Sequence, residues 1–190
     1  MKLIATLLLA IVFIPGAYGQ DDTRLSRDEL KKLQREQRKA EQQEMLEQMK
    51  VLTETMVTQQ HFVLEADYLS DKYGSRLPVQ STINFIVVDS LTGIFQFGSA
   101  MTAGYNGVGG ATLEGKISNY KYVKVGKKKD SWSVSFNMMT SLGTYDFTLM
   151  ITADGRADAT IRGNWSGNLN YHGYLVPLEA SRIYKGQSLY

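Results

Sequence analysis

Gly110, Gly115 and Lys116, within the stretch GYNGVGGATLEGKI from Gly104 to Ile117, stand at the G-x-x-x-x-G-K spacing of a phosphate-binding loop. Such a loop aims glycine N–H groups at a phosphate, sets a Ser or Thr after the lysine on magnesium, and opens a helix behind it. Here the magnesium position is Ile117, an aliphatic side chain, and Glu114 would put a negative charge inside the cradle. The residues after Lys116, ISNYKYVKV, alternate in polarity and read as a strand. Nucleotide chemistry is therefore rejected. The glycines read instead as a bend before a strand starting near Ala111, with Asn106-Gly107 a turn dipeptide. Gly104, Tyr105, Asn106, Gly107, Gly109 and Gly110 thus form a structural loop and a candidate ligand-binding lip at a barrel mouth.

Other catalytic constellations are weak. His61 and His172 are the only histidines, so a Ser-His-Asp triad must use one of them. His61 falls at a helix-to-strand junction, and His172, in NLNYHGYLV, shares one strand face with Asn170 and Tyr174. No serine stands in a G-x-S-x-G elbow, and GNWSGN around Ser166 reads as a turn. A surface or interface role is expected for both histidines. Asp154 and Asp158 lack the further oxygen ligands of a calcium loop, and with no cysteine a zinc site has little to draw on. A glycosidase needs two facing carboxylates. Glu65 and Asp67 share a strand face, and Asp146 and Asp158 are candidate neighbours across the TADGR hairpin, but such charges usually mark the solvated side of a sheet. No catalytic, cofactor or metal residue is assigned.

Composition narrows the setting. Met1-Lys2, the apolar run Leu3 to Ile14, the Pro15-Gly16 break and small residues at Ala17 and Gly19 read as a secretory signal peptide over residues 1–19, cleaved after Gly19. The run is shorter than the ~20 apolar residues that cross a bilayer, so no transmembrane segment is expected in the mature chain. Export to the periplasm or cell envelope follows. The formal charge of +2 falls by one unit when Lys2 is removed, which argues against nucleic acid as a partner. Without cysteine there is no disulfide, and a domain of about 130 residues must rely on its own core.

Two regions with different periodicity must hold these residues. Residues 20–60 read as a polar helix, opened by the capping box Ser26–Glu29 and a Leu25–Leu30 staple. Its apolar stripe is Met45, Met49, Leu52 and Met56, so its second half is expected to dock and its first half to protrude. Residues 61–190 read as short strands with turns and no helix between them. The expected fold is mainly β, an antiparallel barrel or sandwich of about 7–9 strands preceded by one N-terminal helix. Aromatics are abundant, and a barrel of this size either packs solid or holds one small ligand.

The blocks FVLEADYLSDKYGSRLPV, STINFIVVD, GYNGVGGATLEGKI, SLGTYDFTLMITADGRADATI and LVPLEASRIYKG resemble, in order, those of the domain of unknown function 4251 family. The resemblance runs from Phe62 to Ser188 and leaves out the polar helix. It implies a small exported protein of Bacteroides-type bacteria with a β domain, and it brings no activity or catalytic residue. The expected function is a non-enzymatic binding module for a small or lipidic ligand or an envelope partner, acting through the barrel mouth or the Met-striped helix. The alternative is an envelope hydrolase using His172 or a carboxylate pair. Helix-mediated self-association is a further expectation.

Overall fold

The computed structural model describes residues 27–99, 107, 109–126, 130–164 and 167–188. The leader with Gly19, the cap residues Leu25 and Ser26, and Gly104, Tyr105, Asn106 and Ser166 lie outside the described residues. Helix α1, Arg27–Gln59, is free of glycine and proline throughout. The chain divides into two compact units between Lys39 and Ala40. In the first, residues 27–39 are helical and exposed, Leu30 and Leu33 included.

In the second unit the rest of α1 docks by a face different from the one expected. Met49 is half-buried and Thr53, Met56 and Val57 are buried, at the spacing of one helical face. Met45 is 66% exposed and Leu52 38% exposed, so the methionine stripe is only half used. The seam follows Thr53 and Val57, which continue the face of Met49 and Met56; Leu52 falls to its side. Tyr120 Oη donates to the Val57 carbonyl at 2.8 Å, and Lys124 pairs with Glu54 at 2.6 Å. Burial of the Tyr120 ring pushes its hydroxyl pKa up, so it stays a donor. Thr53 Oγ1 is buried with no hydrogen-bond partner.

Nine strands follow: β1 His61–Ser70, β2 Arg76–Pro78, β3 Phe85–Asp89, β4 Thr92–Phe97, β5 Ala111–Val125, β6 Ser131–Thr140, β7 Gly143–Thr152, β8 Arg156–Arg162 and β9 Asn168–Val176. Strand β3 starts later than STINFIVVD suggests, because Ser81–Ile83 form a 3-10 turn and the Asn84 side chain bonds Gly98 N and Gln80 O. All pairings are antiparallel. The order β1-β3-β4-β5-β6-β7-β8-β9 closes by a β1–β9 pairing, giving an eight-stranded barrel with β2 added beside the end of β1. Consecutive strands joined by turns can do this without crossovers.

The barrel is packed with side chains. Phe95, Trp132, Phe136, Tyr145, Phe147 and Tyr171 face inward and are at most 6% exposed. Phe136 and Phe147 stack at 4.7 Å between centroids, and Phe95 meets Phe147 and Tyr145 edge-on at 5.6 and 5.1 Å. Met56 and Val57 of α1 join the same core. At the closing seam Gly173 lets β9 approach β1: a Cβ there would lie 1.9 Å from the Glu65 carbonyl oxygen. Gly110 does the same for the start of β5, where a Cβ would lie 2.0 Å from the Phe97 oxygen.

After β9 the chain crosses the outside of the barrel as a strap, residues 177–188. Leu178 and Ile183 cover the outward side chains Val63, Phe85 and Val87. Beneath it lies Gln96, fully buried on the outer face. Its amide donates to the Ile83 and Tyr184 carbonyls at 3.1 and 2.9 Å and accepts from Thr112 Oγ1 and Gly186 N at 2.7 and 2.8 Å. Both donors and both lone pairs are thereby used.

Two substitutions test this packing with opposite signs. Gly173→Ala is expected to cost about 3 kcal/mol by forcing the seam apart, and Thr53→Val to be neutral or stabilising because it removes an unpaired buried hydroxyl. Urea midpoints measure both; an unchanged midpoint for Gly173→Ala contradicts the close approach.

Candidate functional site

The outward residues of β8, β9 and β1 form polar rows fixed by register. Asp158 is paired directly with His172, and His172 with Tyr68; two residues along, Thr160 pairs with Asn170 and Asn170 with Ser70. Side chains link the rows. Ser70 Oγ lies 2.8 Å from His172 Nε2, and His172 Nδ1 lies 2.6 Å from Asp158 Oδ1. Thr160 Oγ1 donates to Asn170 Oδ1 at 3.0 Å, and Asn170 Nδ2 is 3.4 Å from both Ser70 Oγ and the Asp71 carbonyl. Both ring nitrogens of His172 are thereby partnered, Nδ1 by Asp158 and Nε2 by Ser70.

That is the connectivity of a serine nucleophile, its base and the acid that orients the base. Ser70 itself is buried, 7% exposed, in an extended strand and not on a strand-to-helix turn. The Asp158 side chain is 70% exposed. Beside His172 runs a surface groove of about 350 Å³, lined by Asp67, Tyr68, Met150, Arg156, Asp158 and Tyr174 among others. Tyr68, Met150 and Tyr174 present apolar surface there, each 44–47% exposed. The Arg156 guanidinium lies 5.9 Å from the Tyr174 ring centroid and pairs with Asp154 at 3.2 Å.

Sequence reasoning named His172 and Asp158 but missed Ser70. Along β1, Phe62, Leu64 and Ala66 point inward, and strict alternation would send Ser70 inward as well. The register shifts between Ala66 and Tyr68, and this bulge turns Ser70 to the outer face. Nothing local in HFVLEADYLS announces it.

The other expected pairs are not brought together. Asp146 pairs with Arg162 and Asp158 with Met150, so the two carboxylates sit four positions apart along the ladder, roughly 13 Å by strand rise and beyond the spacing a glycosidase uses. Asp146 instead accepts from Asn137 Nδ2 at 2.5 Å. Glu65 holds the strap, accepting from Ser181 Oγ and Arg182 N at 2.5 and 3.4 Å, while Asp67 lines the groove. Of the glycine loop, Gly107 and Gly109 have φ of +76° and +74°, and Gly110 meets the Phe97 backbone. Gly115 and Lys116 lie on β5 opposite Gly93 and Thr92, with strand following, so the phosphate-loop spacing has no helix behind it. Among the described residues no group of three or more His, Asp or Glu is placed to hold a metal ion.

His61 has a different environment. Nδ1 is 3.1 Å from Asp89 Oδ1 and Nε2 is 2.7 Å from Glu179 Oε1, at the start of the strap. Carboxylates only accept, so both contacts are hydrogen bonds when the ring is protonated. The Glu179 bond, and secondarily Asp89, raise the His61 pKa above 6.5 against a partial desolvation penalty. The Glu179 carboxyl is lowered from 4.5, first by its own backbone N–H and then by His61.

Against known proteins, the family model described as domain of unknown function (DUF4251) matches residues 41–175. The crystal structure of a DUF4251 family protein from Bacteroides eggerthii superposes with a TM-score of 0.61 at 28% identity, over 72% of this chain and 93% of that one. No curated protein matches.

The His61 tie sets a pH window for the strap. A raised histidine pKa contributes stability that is full below 6.5 and is lost as pH rises through the raised value; a lowered carboxyl contributes above 4.5 and is lost as pH falls through the lowered value. Hydrogen exchange of the amides from Leu178 to Gly186, corrected for intrinsic rate, should be slowest between these limits and speed up on the alkaline side. His61→Gln should flatten the alkaline rise. Protection in the wild-type chain that ignores pH across this range contradicts the tie.

Proposed function

We propose, for a chain that belongs to the DUF4251 family and inherits no activity from it, that recognition takes place on the outer wall of the barrel. The observation that carries this is the filled interior. Inward aromatics in ring contact leave the lumen to side chains, so a small or lipidic ligand has to be met outside.

The groove along β1 and β7–β9 suits that task. Its 350 Å³ is within the range of small-ligand sites. Tyr68, Tyr174 and Met150 offer apolar contact at low conformational cost, and Asp67, Arg156 and His172 offer the few polar groups that fix orientation. A larger groove of about 630 Å³ near Gly93, Gly115 and Lys116 lacks aromatic walls. The reading of residues 1–19 as a cleaved leader supports setting this recognition in the cell envelope. No described helix is long and apolar enough to cross a membrane.

The test is amide and side-chain NMR on the protein recovered from the envelope fraction, titrated with fractionated envelope extract. Shifts should concentrate at Tyr68, His172 and Tyr174, and Tyr174→Ala should weaken them about tenfold, the effect of losing ~1.4 kcal/mol of contact. Shifts confined to Phe136 and Phe147 inside the barrel, or a native chain retaining Met1 in the cytoplasm, would contradict the proposal.

A further inference from the structure

Resting on the groove as the place of binding, we propose that Ser70 is an acyl-accepting nucleophile, with His172 as its base and Asp158 as the residue that orients the base. The substrates this fits are carboxylic esters with a short apolar acyl group.

Three observations converge. The order Ser70–His172–Asp158 is continuous, at 2.8 and 2.6 Å, within the reach that proton transfer needs. The side-chain amide of Asn170 stands 3.4 Å from Ser70 Oγ, and Thr160 holds its oxygen so that the NH₂ faces the serine. A side-chain amide in that place can donate to the oxyanion of a tetrahedral intermediate. The apolar surface of Tyr68, Tyr174 and Met150 lines a groove that His172 and Asp158 border, and an acyl group resting there has to reach past His172 to the buried Ser70. His61 is no alternative base, because both of its ring nitrogens face carboxylates.

The proton inventory closes without a further reagent. Ser70 Oγ–H passes its proton to His172 Nε2 as the Oγ–C bond forms. The ester C–O bond breaks, and the leaving alkoxide takes that proton as the alcohol departs. Water then attacks the acyl-serine with His172 again as base, the Oγ–C bond breaks, and Ser70 recovers its proton as the carboxylic acid leaves. Asp158 holds His172 Nδ1–H and stabilises the imidazolium.

A fluorophosphonate probe, followed by intact mass and peptide mapping, reads the nucleophile directly on the full chain, and p-nitrophenyl butyrate reads turnover. One phosphonyl adduct at Ser70 is expected, absent in Ser70→Ala. His172→Gln should slow labelling and ester cleavage by about 10²–10⁴-fold, and Asn170→Ala should slow cleavage by about 10²–10³-fold. Far-ultraviolet circular dichroism and thermal melts of each variant separate loss of chemistry from loss of fold. Because His172→Gln removes the base and leaves the serine, its rate stays informative even if Ser70→Ala folds poorly. A folded wild-type chain that takes no adduct at Ser70, or labelling unaffected by His172→Gln, overturns the inference. Envelope-extract shifts at Tyr68 and Tyr174 that persist in such a case leave the groove proposal standing and remove only the chemistry.

Discussion

Eight strands enclose a space only as wide as the side chains that fill it, and in this barrel that space is taken by stacked rings. Phe136 lies almost parallel to Phe147, with 8° between the planes, and Phe95 closes on Phe147 edge-first. Strand β8 sets the smaller Ala157 and Ala159, both buried, opposite Ile151 and Leu149 of β7, and Ile161 opposite Phe147. Every other feature follows from that occupancy. The helix adds Met56 and Val57 to the same core.

The outward faces are organised by register. Antiparallel pairing brings residues far apart in sequence into rows, and where those residues are polar they bond along the row. Asn119, Asn137 and Asp146 make one such row across β5, β6 and β7. Asp158 and His172 bond along another, and Ser70, from the next row, joins His172 diagonally across the seam that closes the barrel. The two histidines show how the same side chain is set to different tasks. His172 lies between one carboxylate and one hydroxyl, whereas His61 lies between two carboxylates that favour its cation. One links strands β1, β8 and β9 on the barrel wall, and the other ties the barrel to the strap.

Much of the architecture was legible because alternation is a local property. Trp132, Val134, Phe136 and Met138 can be placed on one face of a strand from their spacing alone, and they do face inward. The Asp154-Gly155 turn and the absence of interstrand helices point to an antiparallel fold for the same reason. What escaped reading depends on relations that spacing does not carry. The bulge near Asp67 inverts the parity of Ser70, and the partner it gains is 102 residues away. Asp146 and Asp158 flank one hairpin, yet register assigns them different partners. The strap was invisible because the Gln96 side chain meets Tyr184 and Gly186 through their backbone groups, which any residue possesses. The docking face of the helix keeps Met49 and Met56 of the methionine stripe and adds Thr53, a polar residue that carries no apolar signal and is buried completely.

Crystals of the wild-type chain and of Phe147→Ala, each held under xenon pressure, probe the packed lumen most directly, since xenon enters apolar cavities and not close-packed cores. The wild-type barrel should take up no xenon among Phe95, Phe136 and Phe147. The variant should bind it in the vacated ring position and lose about 3–5 kcal/mol of stability. Xenon found between these rings in the wild-type protein would mean that the barrel is hollow and that its ligand belongs inside.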